Sequence, residues 1–359
     1  MAKSVYIHIP FCKSICSYCD FCKFIYNEKW VGAYLTALKR EIKDRYMDDD
    51  INTIYIGGGT PSALNIEELR RLMEIIQIFN INNLEEFTFE CNLSDINKEL
   101  LMLLKYYKVN RLSIGIESFN KKNLEFMERS ADYKDAKEKI KLCREYGFNN
   151  INIDLMYAIP GETLKDLRKD LDLFMSLNPT HISTYSLIIE KHTKLDNINA
   201  QVIAEELDYE MFKLICRKLK NAHHYEISNF AIKGYESKHN LVYWNNQEYY
   251  GFGLGAAGYI DDIRYENTKN LKEYLLGNYV SNKEILGKKE KMDYEIILGL
   301  RKLDGINIKA FEEKYGEDIE KVYNLELLFK NKDLIKKKGY IYINPNKLYI
   351  MNEILIKII

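Results

Sequence analysis

The length, composition and charge of this chain exclude several classes of protein. The chain has 359 residues, of which 47% are hydrophobic. This length and composition predict a folded protein with one domain of roughly 200 to 250 residues and a second, smaller domain. The 52 basic and 53 acidic side chains nearly cancel, so no overall field favours nucleic acid or an anionic membrane. No apolar run approaches the roughly 20 residues of a membrane span and no signal peptide is recognisable, so we expect a cytoplasmic protein.

Short β-branched segments alternate with longer helical patterns through the first half of the chain, which is typical of strand-helix units around a parallel sheet. Apolar residues at three and four spacing predict helices over residues 66–78 and 135–146. The pattern predicts an α/β fold, a partial (β/α)6 barrel. The six predicted strands are residues 5–9, 53–56, 86–90, 111–116, 152–155 and 181–187.

The second half of the chain is less regular. We predict a barrel of residues 1–190, a flanking region of residues 191–289 and a winged-helix-like domain of residues 290–359. In the last domain we expect helices over residues 293–300 and 308–315, and a strand-turn-strand over residues 340–350 that turns at the Asn-Pro-Asn sequence of residues 344–346. Three consecutive lysines, residues 336–338, are interpreted as a solvated edge, so no nucleic-acid partner is expected.

Four of the seven cysteines lie between residues 12 and 22. Such crowding in an intracellular chain favours metal binding over disulfides. Cys12, Cys16 and Cys19 follow the first predicted strand, and three thiolates leave one iron of a four-iron cluster open for the amino and carboxylate groups of S-adenosylmethionine (SAM). The alternatives are a zinc site or chance thiols, and Cys22 is either a fourth ligand or, as we expect, a spare thiol.

Glycines and charged residues follow the other predicted strands. Residues 57–61 read Gly-Gly-Gly-Thr-Pro, a loop whose backbone can approach a ligand closely. Glu90, Glu117 and Asp154 end strands, where carboxylates can accept hydrogen bonds from ribose hydroxyls or an amino group, and Arg129 can hold a carboxylate in a bidentate pair. Taken singly, each could equally form a surface salt bridge; their shared place at the barrel mouth favours a ligand site.

With these residues assembled, the chain resembles the radical SAM group that contains oxygen-independent coproporphyrinogen III oxidase and, more closely, the HemW-type haem chaperones. The resemblance runs nearly from end to end. It is carried by the segments YIHIPFC at residues 6–12, GGGTP at 57–61, NRLSIG at 110–115, NIDL at 152–155, YEISNFA at 225–231 and HNLVYW at 239–244.

The resemblance implies which residues bind the cofactors. It implies a [4Fe-4S] cluster on Cys12, Cys16 and Cys19. It implies SAM contacts from Tyr6, Gly58, Gly59, Thr60, Glu90, Arg129 and Asp154, and from Glu117, where the family usually has glutamine. Only eleven residues precede Cys12 and Phe21 stands where the oxidases carry a further cysteine, and both features match the chaperones.

The chaperone resemblance implies haem as cargo, haem-requiring respiratory proteins as acceptors, a flavodoxin-type or ferredoxin-type reductant and no coproporphyrinogen oxidase activity. It makes His239 the candidate axial haem ligand, with Tyr243 and Trp244 as flat apolar faces; the alternative is that the histidine caps a turn beside packed aromatics. The competing function is a catalytic radical SAM enzyme acting on a porphyrin or a related substrate, by oxidative decarboxylation, methyl transfer or anaerobic haem breakdown.

Overall fold

The computed structural model describes residues 1–359 and contains seventeen strands and fifteen α-helices. The strands are β1 Ser4–Ile9, β2 Phe11–Cys12, β3 Phe24–Ile25, β4 Thr53–Gly58, β5 Glu86–Asn92, β6 Arg111–Glu117, β7 Asn150–Tyr157, β8 His181–Ser186, β9 His223–Glu226, β10 Asn229–Ala231, β11 Tyr250–Phe252, β12 Ala257–Ile260, β13 Ile263–Asn267, β14 Val280–Ile285, β15 Ile306–Asn307, β16 Leu334–Lys337 and β17 Tyr340–Ile343. The helices are α1 Glu28–Arg45, α2 Ile66–Ile76, α3 Lys98–Tyr106, α4 Lys121–Met127, α5 Tyr133–Glu145, α6 Leu164–Ser176, α7 Lys194–Asn197, α8 Glu205–Lys218, α9 Lys238–Trp244, α10 Leu271–Leu276, α11 Lys288–Gly299, α12 Ile308–Tyr315, α13 Ile319–Val322, α14 Glu326–Lys330 and α15 Met351–Ile356. Short 3-10 helices cover Pro61–Ala63, Leu93–Asp95 and Pro345–Ile350.

The main sheet has nine strands in the order β11-β1-β4-β5-β6-β7-β8-β10-β9. All six predicted barrel strands are present as β1 and β4 to β8, paired in parallel in chain order, which confirms the α/β partial barrel. The flanking region supplies the rest: β11 pairs with β1 in parallel, and β10 and β9 extend the other edge in antiparallel pairing. This region therefore widens the sheet at both edges and shares the barrel's core.

Each central strand has one apolar face and one polar face. In β6 the alternate residues Leu112, Ile114 and Ile116 are fully buried beneath the surrounding helices, while Arg111 and Ser113 point to the opposite face. Because side chains alternate along a strand, the same division repeats on its neighbours and gives the barrel a polar interior. That interior is where a polar ligand can bind.

The helices have clear starting signals and pack against the apolar face of the sheet. Helix α2 begins at a capping box in which the Asn65 side chain accepts a hydrogen bond from the Glu68 backbone amide and the Glu68 carboxylate accepts one from the Asn65 amide. The helix then buries residues such as Leu69, Leu72 and Met73, which recur at three and four spacing. This burial fixes the loop between β4 and α2 at the barrel mouth.

The C-terminal residues form a second hydrophobic core between Met292 and Leu355. Three antiparallel strands in the order β15-β17-β16 pack there with helices α11 to α15, as expected for a small winged-helix-like domain. The predicted strand-turn-strand over residues 340–350 is wrong. The hairpin pairs β16 with β17 and turns at Lys338 and Gly339, both with positive φ, while Pro345 begins a 3-10 helix.

The three consecutive lysines lie in β16 and its turn rather than before the hairpin, and Lys336 pairs with Glu320 at 2.5 Å on the exposed surface. No helix of the structure is long and apolar enough to cross a membrane.

Candidate functional site

A cavity of about 770 Å³ opens at the carboxyl ends of the barrel strands. Its volume is within the range of sites that bind small molecules, about 300 to 1,000 Å³. The lining includes seven of the eight predicted SAM-contact residues and all three predicted cluster ligands: Gly58, Gly59, Thr60, Glu90, Glu117, Arg129, Asp154, Cys12, Cys16 and Cys19. The sequence motifs therefore converge on one place.

Of the four cysteines between residues 12 and 22, Cys12, Cys16 and Cys19 line this cavity and Cys22 does not. Cys12 lies in β2, and Cys16 and Cys19 lie in the loop that follows it. Cys22 is outside the cavity, and its carbonyl oxygen accepts a hydrogen bond from His8 Nε2 at 2.7 Å. A further cysteine of the lining, Cys91, lies on β5 and packs in the hydrophobic core. The three thiols of the cysteine loop fit a cluster that leaves one iron open.

Two cavity residues contact these thiols. The Thr60 hydroxyl donates to Cys12 Sγ at 3.5 Å, and Arg129 Nη1 donates to Cys16 Sγ at 3.4 Å. Burial raises the pKa of Cys12 to about 11 and also raises the pKa of Cys19. Because thiolates are the iron ligands, Cys12 and Cys19 must both lose a proton when iron binds, and the hydrogen bond from Thr60 favours the charged form of Cys12. No set of three His, Cys, Asp or Glu side chains is compact enough to hold a single metal ion.

The glycines of the second loop are required by close packing. A Cβ on Gly57 would lie 2.7 Å from the Glu90 carboxylate, and one on Gly58 would lie 2.6 Å from the His8 ring. Gly58 also has a φ of +113°, which only glycine adopts readily. A Cβ on Gly59 would lie 3.0 Å from Cys12 Sγ. The loop thus brings bare backbone against both the thiols and Glu90.

Glu90 is held rigidly at the side of the cavity. Its Oε1 accepts a hydrogen bond from the Tyr55 hydroxyl at 2.7 Å and its Oε2 accepts one from the Gly58 amide at 3.1 Å. Burial raises the pKa of Glu90 to about 7, since desolvation disfavours the carboxylate more than the two donors stabilise it. A cationic amino group placed beside it would restore the charged form.

Glu117 and Arg129 form a second charged pair at the mouth. Glu117 has a φ of +71° next to a register shift between β6 and β7, a local strain that places its side chain in the cavity. Burial raises its pKa to about 7 although Arg129 Nη2 lies 3.9 Å from its Oε1. Arg129 is itself fixed by the Gly115 carbonyl at 2.7 Å and by Asn92 Oδ1 at 3.2 Å.

Asp154 lies on β7 opposite these groups, and the Asn152 side chain donates to its Oδ1 at 2.9 Å. Burial raises the pKa of Asp154. Tyr6, the eighth predicted SAM contact, does not line the cavity; its hydroxyl lies 3.0 Å from His8 Nδ1, behind the glycine loop.

His239 is placed differently from the prediction. Its side chain is fully buried in α9, below the cavity, and both ring nitrogens have partners: Nδ1 lies 2.8 Å from Thr53 Oγ1 and Nε2 lies 2.7 Å from the Tyr243 hydroxyl. Burial lowers its pKa to about 3, so the ring is neutral. In this arrangement both ring nitrogens of His239 are engaged and its side chain does not line the cavity.

Helix α9 closes the floor of the barrel. The Ser237 side chain caps its first turn, and the Glu86 carboxylate accepts hydrogen bonds from the backbone amides of Lys238 and His239, both at 3.0 Å. Asn240, on the same helix, lines the cavity above. The sequence HNLVYW therefore lies in a short helix that closes the barrel floor and contributes one residue, Asn240, to the cavity lining.

The sequence reasoning missed several residues that line the cavity, notably Tyr18, Tyr55, Arg111 and Tyr185. A signal for some of them was present. Thr88 and Glu90 alternate with apolar residues on β5, as Arg111 and Ser113 do on β6, so the inward face of each strand could have been read from the alternation. Tyr18 lies in the cysteine loop, which has no such periodicity.

Family models match two parts of the chain: the radical SAM superfamily over residues 6–174 and the HemN C-terminal domain over residues 286–347. The chain is 39% identical to the heme chaperone HemW of Lactococcus lactis over 92% of both chains. It is also 39% identical to HemW of Bacillus subtilis, over 98% of this chain and 96% of that one. This chain belongs to the HemW family.

Among solved structures, coproporphyrinogen III oxidase HemN of Escherichia coli has the same fold. The TM-score is 0.86 at 22% identity, over 99% of this chain and 89% of that chain. The HemW family therefore shares its barrel and its C-terminal domain with that radical SAM enzyme, and the radical SAM family implies a [4Fe-4S] cluster and SAM as cofactors.

Proposed function

We propose that this protein is a haem chaperone that holds a [4Fe-4S] cluster and SAM at the barrel mouth, binds haem, and delivers it to haem-requiring respiratory proteins. The observation that carries the proposal is its similarity to curated heme chaperones over nearly the full length of both chains. The three thiols of the cysteine loop and the charged residues around them support a cofactor site in the same cavity.

Cys12, Cys16 and Cys19 would hold three irons of the cluster. When bound, the cluster supplies one open iron, to which the amino and carboxylate groups of SAM coordinate. Thr60 and Arg129 donate hydrogen bonds to two of the thiol sulfurs and stabilise their negative charge.

The remaining cavity residues would orient SAM. Glu90, fixed by Tyr55 and the Gly58 amide, accepts hydrogen bonds from the amino group. Asp154 and Glu117 face the cavity at the height of the strand ends, where ribose hydroxyls can donate to them. Because all three carboxyl groups are buried, a hydrogen bond from SAM to each of them would recover part of the free energy that desolvating that group costs.

The haem would bind at the rim of the same cavity and not at His239. Three large side chains of the cavity lining are exposed there: Phe21 at 62%, Ile188 at 65% and Tyr185 at 42% of their surface. Apolar and aromatic side chains grouped at a cavity mouth offer a surface to a flat porphyrin. Phe21 occupies the position at which the related oxidases have a cysteine, so the apolar rim accompanies the chaperone pattern.

The cargo and partners follow from this proposal. A haem-requiring respiratory protein would take the haem from the exposed rim, and a flavodoxin-type or ferredoxin-type protein would reduce the cluster. Conversion of coproporphyrinogen III is not part of the proposed function.

The proposal is tested by titrating haem into the anaerobically reconstituted protein and following the Soret band. We expect one haem per chain, and weaker binding when Phe21→Ser and Ile188→Ser are combined. Leu276→Ser combined with Ile285→Ser is the matched control, because these residues are at least as exposed, at 65% and 80%, but lie away from the cavity. No haem binding by the wild type would overturn the function, and equal loss in both double variants would overturn the rim site.

A further inference from the structure

Arg111 is a buried cation without a charged partner. Its side chain lines the cavity from the start of β6 and is 2% exposed. Its one side-chain hydrogen bond runs from Nη1 to Thr88 Oγ1 at 3.4 Å, and the buried Nε has no partner. No carboxylate oxygen lies within 4.0 Å of its guanidinium nitrogens. A guanidinium has five N–H donors, so most of its hydrogen-bonding capacity is unused.

The other cations of the cavity lining are already engaged. Arg129 donates to Cys16, to Asn92 and to the Gly115 carbonyl. The Lys23 ammonium donates to the carbonyl of Cys19 at 2.5 Å. Among the cavity cations, Arg111 makes the fewest hydrogen bonds, and it is also the most deeply buried.

The surroundings of Arg111 are polar, and the nearest carboxyls of the lining, Glu90 and Asp154, interact with its charge but form no ion pair with it. Ser113, Asn152 and Asn240 line the cavity nearby, and the buried rings of His181 and His239 are neutral because burial lowers the pKa of each. An isolated buried charge is costly unless a partner compensates it. The chain supplies no carboxylate at hydrogen-bonding distance from Arg111, so the guanidinium can pair directly with the carboxylate of a ligand.

Arg111 is also far along the barrel axis from the thiols. Glu117, at the mouth, lies six residues further along β6, a distance of about 20 Å at 3.3 Å per residue. The methionine end of SAM must lie beside the cluster ligands at the mouth. A carboxylate that reaches Arg111 therefore fits a second, larger ligand better than it fits the carboxylate of SAM.

We propose that Arg111 binds a carboxylate of the ligand at the cavity floor, and that this carboxylate is a porphyrin propionate. The inference rests on the proposed haem-chaperone function and assigns an anchoring residue within the same cavity. The planar guanidinium presents paired N–H donors that match the two oxygens of a carboxylate. The porphyrin would then extend from the exposed rim into the cavity, with its acidic edge toward Arg111.

The test compares iron(III) protoporphyrin IX with its dimethyl ester, which keeps the ring but lacks both propionate charges. We expect the wild type to bind haem about tenfold or more tightly than the ester, as loss of a charged hydrogen bond implies. Arg111→Met should remove most of this preference by weakening haem binding alone. Arg111→Lys keeps the positive charge but lacks the planar guanidinium. This variant should therefore keep part of the preference for haem over the ester.

The matched control is Arg301→Met. Arg301 also has an unpartnered buried Nε, but it stacks on Trp244 outside the cavity, so its removal should leave the preference for haem unchanged. Thermal unfolding of each variant checks that the fold is intact. If Arg111→Met is unstable, the haem preference is measured with Arg111→Lys instead.

The outcomes separate the anchor from the function. If wild-type protein binds haem but Arg111→Met keeps the wild-type preference, the propionate anchor is overturned and the chaperone function stands. If Arg111→Met instead loses affinity for SAM and keeps the haem preference, the carboxylate site is supported but its ligand is the methionine carboxylate. If the wild type binds no haem, both the function and the anchor fall.

Discussion

Glu90 shows how burial determines the chemistry of one residue in this protein. A carboxyl group whose folded pKa lies above its ordinary value destabilises the folded state once it ionises. Burial raises the pKa of Glu90 from 4.5 to about 7, so the folded protein is favoured below pH 4.5 and this contribution is lost as the pH rises to 7. Above pH 7 the loss is complete and constant.

We therefore predict that Glu90→Gln removes this pH-dependent loss of folding stability in the cofactor-free protein. The free energy of unfolding of the variant, relative to wild type, should rise by up to about 3 kcal/mol between pH 5 and pH 8. Urea unfolding at both pH values measures it. Glu67→Gln, on a glutamate whose side chain is 79% exposed, is the control and should show no such change. An identical pH dependence in wild type and Glu90→Gln would contradict the buried-carboxyl account.

The cysteines give a second prediction at this scale. Cys12→Ala, Cys16→Ala and Cys19→Ala should each abolish the cluster, because each removes one of the three cysteine-loop thiols that line the cavity. Cys22→Ala should retain it, since that thiol lies outside the cavity. Iron and sulfide analysis after anaerobic reconstitution decides the matter. Cluster loss in Cys22→Ala to the same extent would mean a site with four thiolates and no open iron.

At the scale of elements, helix α9 changes the interpretation of the HNLVYW sequence. A pattern of residue types cannot tell a histidine that faces a ligand from one that faces the barrel interior, because both lie on a short helix rich in aromatics. The structure decides this through the partners of His239, which are Thr53 on β4 and Tyr243 one turn along the helix.

We predict that His239→Ala destabilises the protein by about 1 to 3 kcal/mol, because Thr53 and Tyr243 lose a buried hydrogen-bond partner. Haem affinity and the position of the Soret band should stay close to wild type. Lys238→Ala is a control on the same helix, since Lys238 makes an exposed ion pair with Glu85. A shifted Soret band in His239→Ala, with the fold intact, would restore His239 as an iron ligand.

The C-terminal hairpin shows what the sequence could and could not predict about elements. The turn was expected at the Asn-Pro-Asn sequence because proline and asparagine mark turns. Asparagine and proline are also common at the start of a helical turn. In the structure Asn344 caps a 3-10 helix and Pro345 is its first residue. The actual turn, Lys338 and Gly339, has only the glycine as a signal. The edge strands β10 and β11 have three residues each, too few to show a period.

We predict that Gly339→Ala costs about 1 to 2 kcal/mol of stability, because this residue has a φ of +80° and nothing within 4 Å of an added Cβ, so the cost is that of the backbone alone. Gly32→Ala is the control. Gly32 lies inside helix α1 with its added Cβ no closer than 3.8 Å to another atom, so that change should stabilise the protein by about 0.5 to 1 kcal/mol. Equal unfolding midpoints for the two variants would contradict the positive-φ turn.

At the scale of the whole molecule, the cavity is a product of three distant parts of the chain. The cysteine loop and the glycine loop come from the first sixty residues, the carboxylates from β5 to β7, and the floor from α9 near residue 240. The sequence predicted the first two because strand ends and glycine loops carry local signals. It could not predict the floor, or the isolation of Arg111, because these depend on which residues meet across the barrel.

The central claim is that the protein hands haem to other proteins, and transfer is the measurement that tests it most directly. The cluster-loaded, haem-loaded protein is mixed with a haem-free respiratory enzyme in the presence of excess apomyoglobin, which captures free haem. We predict that the respiratory enzyme regains activity faster than it does with the same amount of free haem, and that coproporphyrinogen III is not consumed when SAM and a reductant are added. Activity no greater than with free haem, together with turnover of coproporphyrinogen III, would contradict the account.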